Sequence, residues 1–181
     1  MVFENFVAKV KGAVKWEPDL PQKPLGSTET VPPKVFKSLE DKQKKTEKAC
    51  AEMVVAKEKM TNLVAQFNAT KKEFEEKSKT AKLTAFDGRD GKRIFYTLSN
   101  IKENMENRVK DATDLKKIGD ENLSNIQTQY SLYLSGIGGE NLKPALNQIA
   151  AKSGELQSGF GEVSAQNKSA EIQKIIDTLY S

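Results

Sequence analysis

Between Val35 and Lys79 the chain contains neither glycine nor proline, and Leu39, Thr46, Met53, Met60, Phe67 and Phe74 recur there at intervals of seven. Ala49, Ala56 and Leu63 follow three residues after successive members of that series. Such spacing lays one apolar stripe along an α-helix and requires other helices to cover it. A helix of this span reaches roughly 65–70 Å at 1.5 Å per residue, a length few compact domains use. The pattern therefore predicts an all-α fold, and the helical signals that follow it extend that to an elongated antiparallel three-helix bundle with an N-terminal amphipathic helix.

Downstream, the stretch FDGRDGKR sets Gly88 and Gly91 beside Asp87 and Asp90, residue types that favour turns, so the first long helix is expected to break there. Leu98, Met105, Ala112, Ile126 and Tyr133 then keep the seven-residue step, accompanied by Ile94, Ile101 and Leu115 early and by Val109, Leu123, Tyr130 and Ile137 later. The seam is read as shifting once at Gly119, where a kink or local break over 119–121 is expected. Gly136, Gly138 and Gly139 followed by Pro144 mark a reversal. A third helix follows with Leu142, Leu146, Ile149, Leu156, Phe160, Val163, Ile172, Ile175, Ile176 and Leu179, weakened by Gly154, Gly159 and Gly161.

Ahead of the long helices, residues 1–16 form a short amphipathic pattern. Phe3, Phe6, Val7, Val10 and Val14 share one face, Lys9, Lys11 and Lys15 lie on the other, and Trp16 stands at the end. Residues 17–33 hold five of the six prolines and are expected to act as a stiff linker. The expected organisation is thus an amphipathic helix at 1–16, a proline-rich linker at 17–33 and a bundle of three long helices at 34–181.

Composition narrows the function. The 181 residues include no histidine and one cysteine, Cys50. That removes the usual general base near neutral pH, imidazole-based triads, an internal disulfide and multi-thiolate zinc. Phosphate-cradling glycine loops, the HExxH and GxSxG patterns and CxxC are missing, and the acids around Asp87 lack calcium-loop spacing. No catalytic residue, metal site or cofactor is expected, and the chain is read as a non-enzyme. Cys50, beside Ala49, is expected to be a small core residue. A net charge of +4 permits anionic partners without demanding them, and nucleic acid is disfavoured because only Trp16 combines an aromatic ring with nearby lysines. With no apolar run long enough for a secretory signal or a span, a cytoplasmic chain with peripheral membrane attachment is expected. The sequons at Asn68, Asn122 and Asn167 are then read as coincidences.

Two features carry the functional expectation. The first helix has the composition of one that lies in a bilayer interface. Residues 77–93 add Lys77, Lys79, Lys82, Arg89, Lys92 and Arg93 against two acids, a surface suited to anionic headgroups. An amphipathic start, three long helices with one interrupted midway, and no catalytic motif together resemble the BAR superfamily of membrane-shaping modules. The resemblance implies an antiparallel homodimer of three-helix bundles whose basic surface faces anionic lipid, although the chain is short for that family and its third helix is rich in Gly and Ser. The expected function is peripheral binding to anionic phospholipid membranes, with curvature sensing or generation as a homodimer. A different class of function is a cytoskeletal or scaffold bundle that binds partner proteins and whose first helix packs on its own core. A further alternative, a small-ligand carrier, would line a cavity with Met53, Met60, Phe67 and Phe74.

Overall fold

A computed structural model of the chain describes residues 33–129 and 142–181. Four helices order them: α1 (Pro33–Ser78), α2 (Arg89–Gln129), α3 (Lys143–Gln166) and α4 (Ser169–Tyr180). No strand occurs among the described residues. The amphipathic pattern at 1–16, the linker up to residue 32 and the reversal at Gly136–Gly139 lie outside them. Pro33, assigned from sequence to the linker, is the first residue of α1. Its fixed φ and missing N–H suit the opening position of a helix.

The chain divides into two compact units, Met1–Glu52 with Leu115–Ser158 and Met53–Asp114 with Gly159–Ser181. In the first, Leu39 and Ala49 of α1, Leu115 of α2 and Leu146, Ile149 and Leu156 of α3 are buried. Cross-helix pairs fix directions. Gln43 Nε2 donates to Gln148 Oε1 at 2.8 Å and Cys50 Sγ to the Lys152 carbonyl at 3.3 Å, so α1 and α3 run the same way. Asp120 accepts from Gln157 while Asn122 bonds Ser153, so α2 runs opposite to α3. At the centre lies a polar layer: the Asn122 amide donates to Thr46 Oγ1 at 2.8 Å and to Ser153 Oγ at 3.2 Å, and Thr46 donates to the Lys42 carbonyl at 2.7 Å. All three side chains are buried. Their partners compensate the desolvation that burying amide and hydroxyl groups costs.

The second unit buries Met53, Ala56, Met60 and Phe67 of α1, Ile94, Leu98, Ile101, Met105 and Ala112 of α2, Val163 of α3 and Ile172, Ile176 and Leu179 of α4. Lys57–Glu162 and Lys71–Glu171 ion pairs run α1 parallel to α3 and α4, whereas Lys77–Asp90 together with Glu73–Arg93 sets α2 antiparallel to α1. The Met and Phe stripe is packed core, and Phe74, its last member, is half-buried.

Helix α1 stops at Ser78, one residue from the Lys79 at which the heptad pattern ends, and residues 79–88 form the connection. Several expectations need correction. Helix α2 runs unbroken through Gly119, and the seam does not shift. It continues through Ala112, Leu115, Gly119 and Asn122 at steps of three and four, with Gly and Asn occupying core positions. A Cβ on Gly119 would stand 2.8 Å from the Ser153 carbonyl oxygen and 3.2 Å from Leu156 Cβ, so the glycine admits close backbone approach of α3. The third helix is interrupted at Asn167–Lys168, where Asn167 Oδ1 accepts from the Ser169 N–H at 3.1 Å and the Ser169 hydroxyl at 2.6 Å, a local turn that competes with helix. Cys50 is half-buried, and burial together with nearby Glu155 pushes its thiol pKa up. The Asn122 sequon is occupied by a buried, hydrogen-bonded amide.

Candidate functional site

The α1–α2 connection in the second unit is built by tertiary bonds more than by breaker residues. After Ser78 the last turn tightens through Lys79 N–H to the Glu76 carbonyl and Thr80 N–H to the Lys77 carbonyl. The Ala85 N–H then donates to the Leu179 carbonyl at 2.8 Å, and Lys82 Nζ donates to the Ser181 carbonyl at 2.9 Å, tying the connection to the end of α4. The Asp87 N–H donates to Thr84 Oγ1 at 3.0 Å. Gly88 has φ +81°, a region that disfavours side-chain-bearing residues, and the chain enters α2 at Arg89.

Six cations were expected to present charge here, and the structure sorts them into two groups. Lys77 and Arg93 are engaged by acids: Lys77 Nζ lies 2.8 Å from Asp90 Oδ2 and 3.4 Å from Glu73 Oε1, and Arg93 pairs with Glu73 and, at 3.6 Å, with Asp90. Glu73 lies one turn before Lys77, outside the 77–93 window in which charge was summed. Lys79, Arg89 and Lys92 are exposed and form no ion pair with the described residues, and Lys82 has one hydrogen bond to a carbonyl. The uncompensated positive charge of the turn resides on Lys79, Arg89 and Lys92.

The quartet has a pH signature. Hydrogen bonding to Arg93 holds the Glu73 carboxyl below its ordinary value, and hydrogen bonding to Lys77 does the same for Asp90. The bond to Asp90 raises Lys77, and the bond to Glu73 raises Arg93. Depressed carboxylates stabilise the fold above their unfolded values and lose that contribution as pH falls through the folded ones. The acid window for the quartet thus lies below the ordinary 4.5 of Glu73 and 3.8 of Asp90. The raised cations contribute at all pH values below their ordinary range, and their share is lost only in strong alkali. These groups are solvent-exposed, so the effect on stability is small. Carboxyl titration by NMR is expected to give midpoints below those two values, with Arg93→Gln returning Glu73 toward 4.5. Midpoints at or above the ordinary values would show that the quartet is not formed in solution.

Beside the cations stands a row of aromatic rings that sequence reasoning passed over. Phe86 and Tyr180 meet edge to face at 5.2 Å between centroids, Tyr180 and Phe95 at 5.3 Å, and Phe95 and Tyr96 at 5.3 Å. Phe86, Tyr96 and Tyr180 are 60%, 69% and 53% exposed, so the row faces solvent. The connection, α2 and α4 each supply a member. A signal was present in α2: Ile94, Leu98 and Ile101 define its buried stripe, and Tyr96 falls off it.

The remaining expected site residues, Phe3, Phe6, Val7, Lys9, Val10, Lys11, Val14, Lys15 and Trp16, lie outside the described residues. No described helix is long and apolar enough to cross a membrane. Among the described residues no group of three or more potential ligands could hold a metal ion. A shallow groove on α1 is lined by Val54, Lys57, Glu58, Thr61 and Asn62. No family model matches the chain, and no match is found among curated proteins or solved structures.

Proposed function

We propose that this chain is a peripheral membrane protein that attaches to anionic phospholipid bilayers and acts on or senses curvature as a homodimer. The observation that carries the proposal is the set of exposed cations without acidic partners, Lys79, Arg89 and Lys92, grouped on and beside one connection. Each well-placed cation contributes about 1 kcal/mol at an anionic surface, so three give about 3 kcal/mol, a hundredfold or more in affinity. That is marginal for stable attachment, which takes two signals. Residues 1–16 supply the second, with Phe3, Phe6, Val7, Val10 and Val14 entering the interface and Lys9, Lys11 and Lys15 meeting phosphates. In this reading the helices make an antiparallel three-helix bundle of BAR-like arrangement, from which the first helix detaches by way of the proline-rich segment.

A second reading, a scaffold bundle that binds proteins, draws support from Val54 and Val55 on α1, exposed by 50% and 46%. Co-sedimentation with vesicles of phosphatidylcholine, with and without phosphatidylserine, separates the two. The whole chain is expected to sediment only with anionic vesicles, and to bind more weakly as salt screens the cations. Charge reversal at Lys79, Arg89 and Lys92 together is expected to weaken binding about a hundredfold or more, and Phe6→Glu to weaken it further without altering the thermal melt. Absence of sedimentation at low salt, or full binding by the triple variant, would sink the membrane proposal.

A further inference from the structure

Isolated exposed apolar residues are ordinary on a protein surface and need no explanation. Phe86, Phe95, Tyr96 and Tyr180 differ because they touch one another in sequence of space, edge to face, though they come from three segments of the chain. Their mutual packing fixes ring positions while three of the four remain more than half exposed. Rigid aromatic surface facing water is what an insertion element needs, since little side-chain freedom is then lost on burial.

The charge around the row selects its occupant. Arg89, Lys92 and Tyr96 sit at i, i+3 and i+7 of α2, one exposed stripe on which cation and ring point the same way. Lys82 and Phe86 share the connection, and Lys82 is held to the Ser181 carbonyl next to Tyr180. A second copy of the chain would bring these cations against their like. A base sandwiched between two rings would need them parallel, and the neighbouring rings here meet at 65°, 69° and 88°. An anionic bilayer interface matches both parts at once: phosphates for the cations, and the headgroup and upper acyl layer for rings that carry a polar tip or none.

We infer that Phe86, Tyr96 and Tyr180 insert into the interface of an anionic bilayer, with Lys79, Arg89 and Lys92 seated on phosphates around them. This rests on the membrane reading above and adds to it an apolar anchor independent of residues 1–16. Attachment is then only partly Coulombic, and a share of it survives high salt.

The test uses the full chain carrying Trp16→Phe and Tyr96→Trp, so that one indole reports on the row. With phosphatidylcholine–phosphatidylserine vesicles, emission of the indole at 96 is expected to shift to the blue and to be quenched by brominated acyl chains. Phe86→Ser, Tyr96→Ser and Tyr180→Ser combined should leave low-salt sedimentation in place and weaken high-salt binding roughly tenfold. If the chain sediments but the indole at 96 keeps its aqueous emission, the insertion is overturned and the membrane function stands. Complete failure to sediment overturns both. A blue shift that appears with rising protein concentration or with single-stranded DNA, and not with vesicles, assigns the row to a second copy or to nucleic acid and overturns the inference.

Discussion

Replacing Gly91 by alanine is expected to destabilise the protein by about 3 kcal/mol or more, against the direction that helix propensity predicts. Gly91 lies in the first turn of α2, where alanine would ordinarily gain about 1 kcal/mol over glycine. A Cβ there would stand 1.9 Å from the Thr84 carbonyl oxygen, 2.9 Å from its carbonyl carbon and 3.0 Å from its nitrogen. These are backbone atoms of a connection pinned to α4 by the Ala85–Leu179 bond, so no side-chain rotation relieves the clash and the overlap outweighs the propensity. Gly154 and Gly161 provide the contrast: nothing lies within 4 Å of a Cβ at either, and alanine there is expected to stabilise by up to about 1 kcal/mol. Urea denaturation midpoints of the three single variants decide the matter. A Gly91→Ala protein as stable as the parent would mean that the connection does not lie against the first turn of α2.

Phe67→Ala is expected to cost about 3–5 kcal/mol, a large fraction of the 5–15 kcal/mol typical of a whole domain. Phe67 is 1% exposed within the second unit, whereas Phe74, seven residues on, is half-buried. Removing the Phe67 ring loses its transfer free energy and leaves a cavity, while water can fill part of the space left by Phe74. Guanidinium denaturation should therefore separate the two alanine variants clearly, with Phe67→Ala the weaker. Equal losses would indicate that the second unit closes over both rings equally.

The contrast between those two phenylalanines also marks how far sequence reasoning reached. Seven-residue spacing located α1 and its buried face, because a stripe of Leu, Met and Phe without interrupting glycine has few other places to go. It erred where a tertiary contact replaced a local signal. The end of α1 at Ser78 follows the end of the heptad pattern, but the connection beyond it is held by a backbone bond to Leu179 that no neighbouring residue announces. Gly91 resembled a turn glycine and is instead a clearance for Thr84. Gly119 and Asn122 resembled an interruption since neither is apolar, yet close approach of α3 makes the first a fitting core residue and Thr46 and Ser153 satisfy the second. The break at Asn167 did have a legible cue, an Asn two residues ahead of a Ser that its side chain can cap. At the candidate site the basic turn was visible as composition, whereas the pairing of Lys77 and Arg93 with Glu73 and Asp90, and the joining of rings from distant segments, required the fold.

The Asn122 layer bears on a degeneracy built into any heptad seam. Sliding α1 by seven residues, about 10.5 Å along its axis, replaces one apolar residue with another along the Met53, Met60, Phe67 and Phe74 part of the seam, so hydrophobic burial there discriminates weakly between alignments. At Asn122 the exchange is not neutral. Translation in one direction sets Leu39 opposite the amide and in the other Met53, and either leaves a buried donor without an acceptor, at about 1–3 kcal/mol. Thr46 is the one member of its series able to accept that bond, so three polar side chains serve as an index mark that distinguishes a single alignment from its translated copies. Substituting all three with apolar residues of like volume would erase the mark while leaving the seam's adhesion intact, and the helices would then be free to settle in more than one alignment.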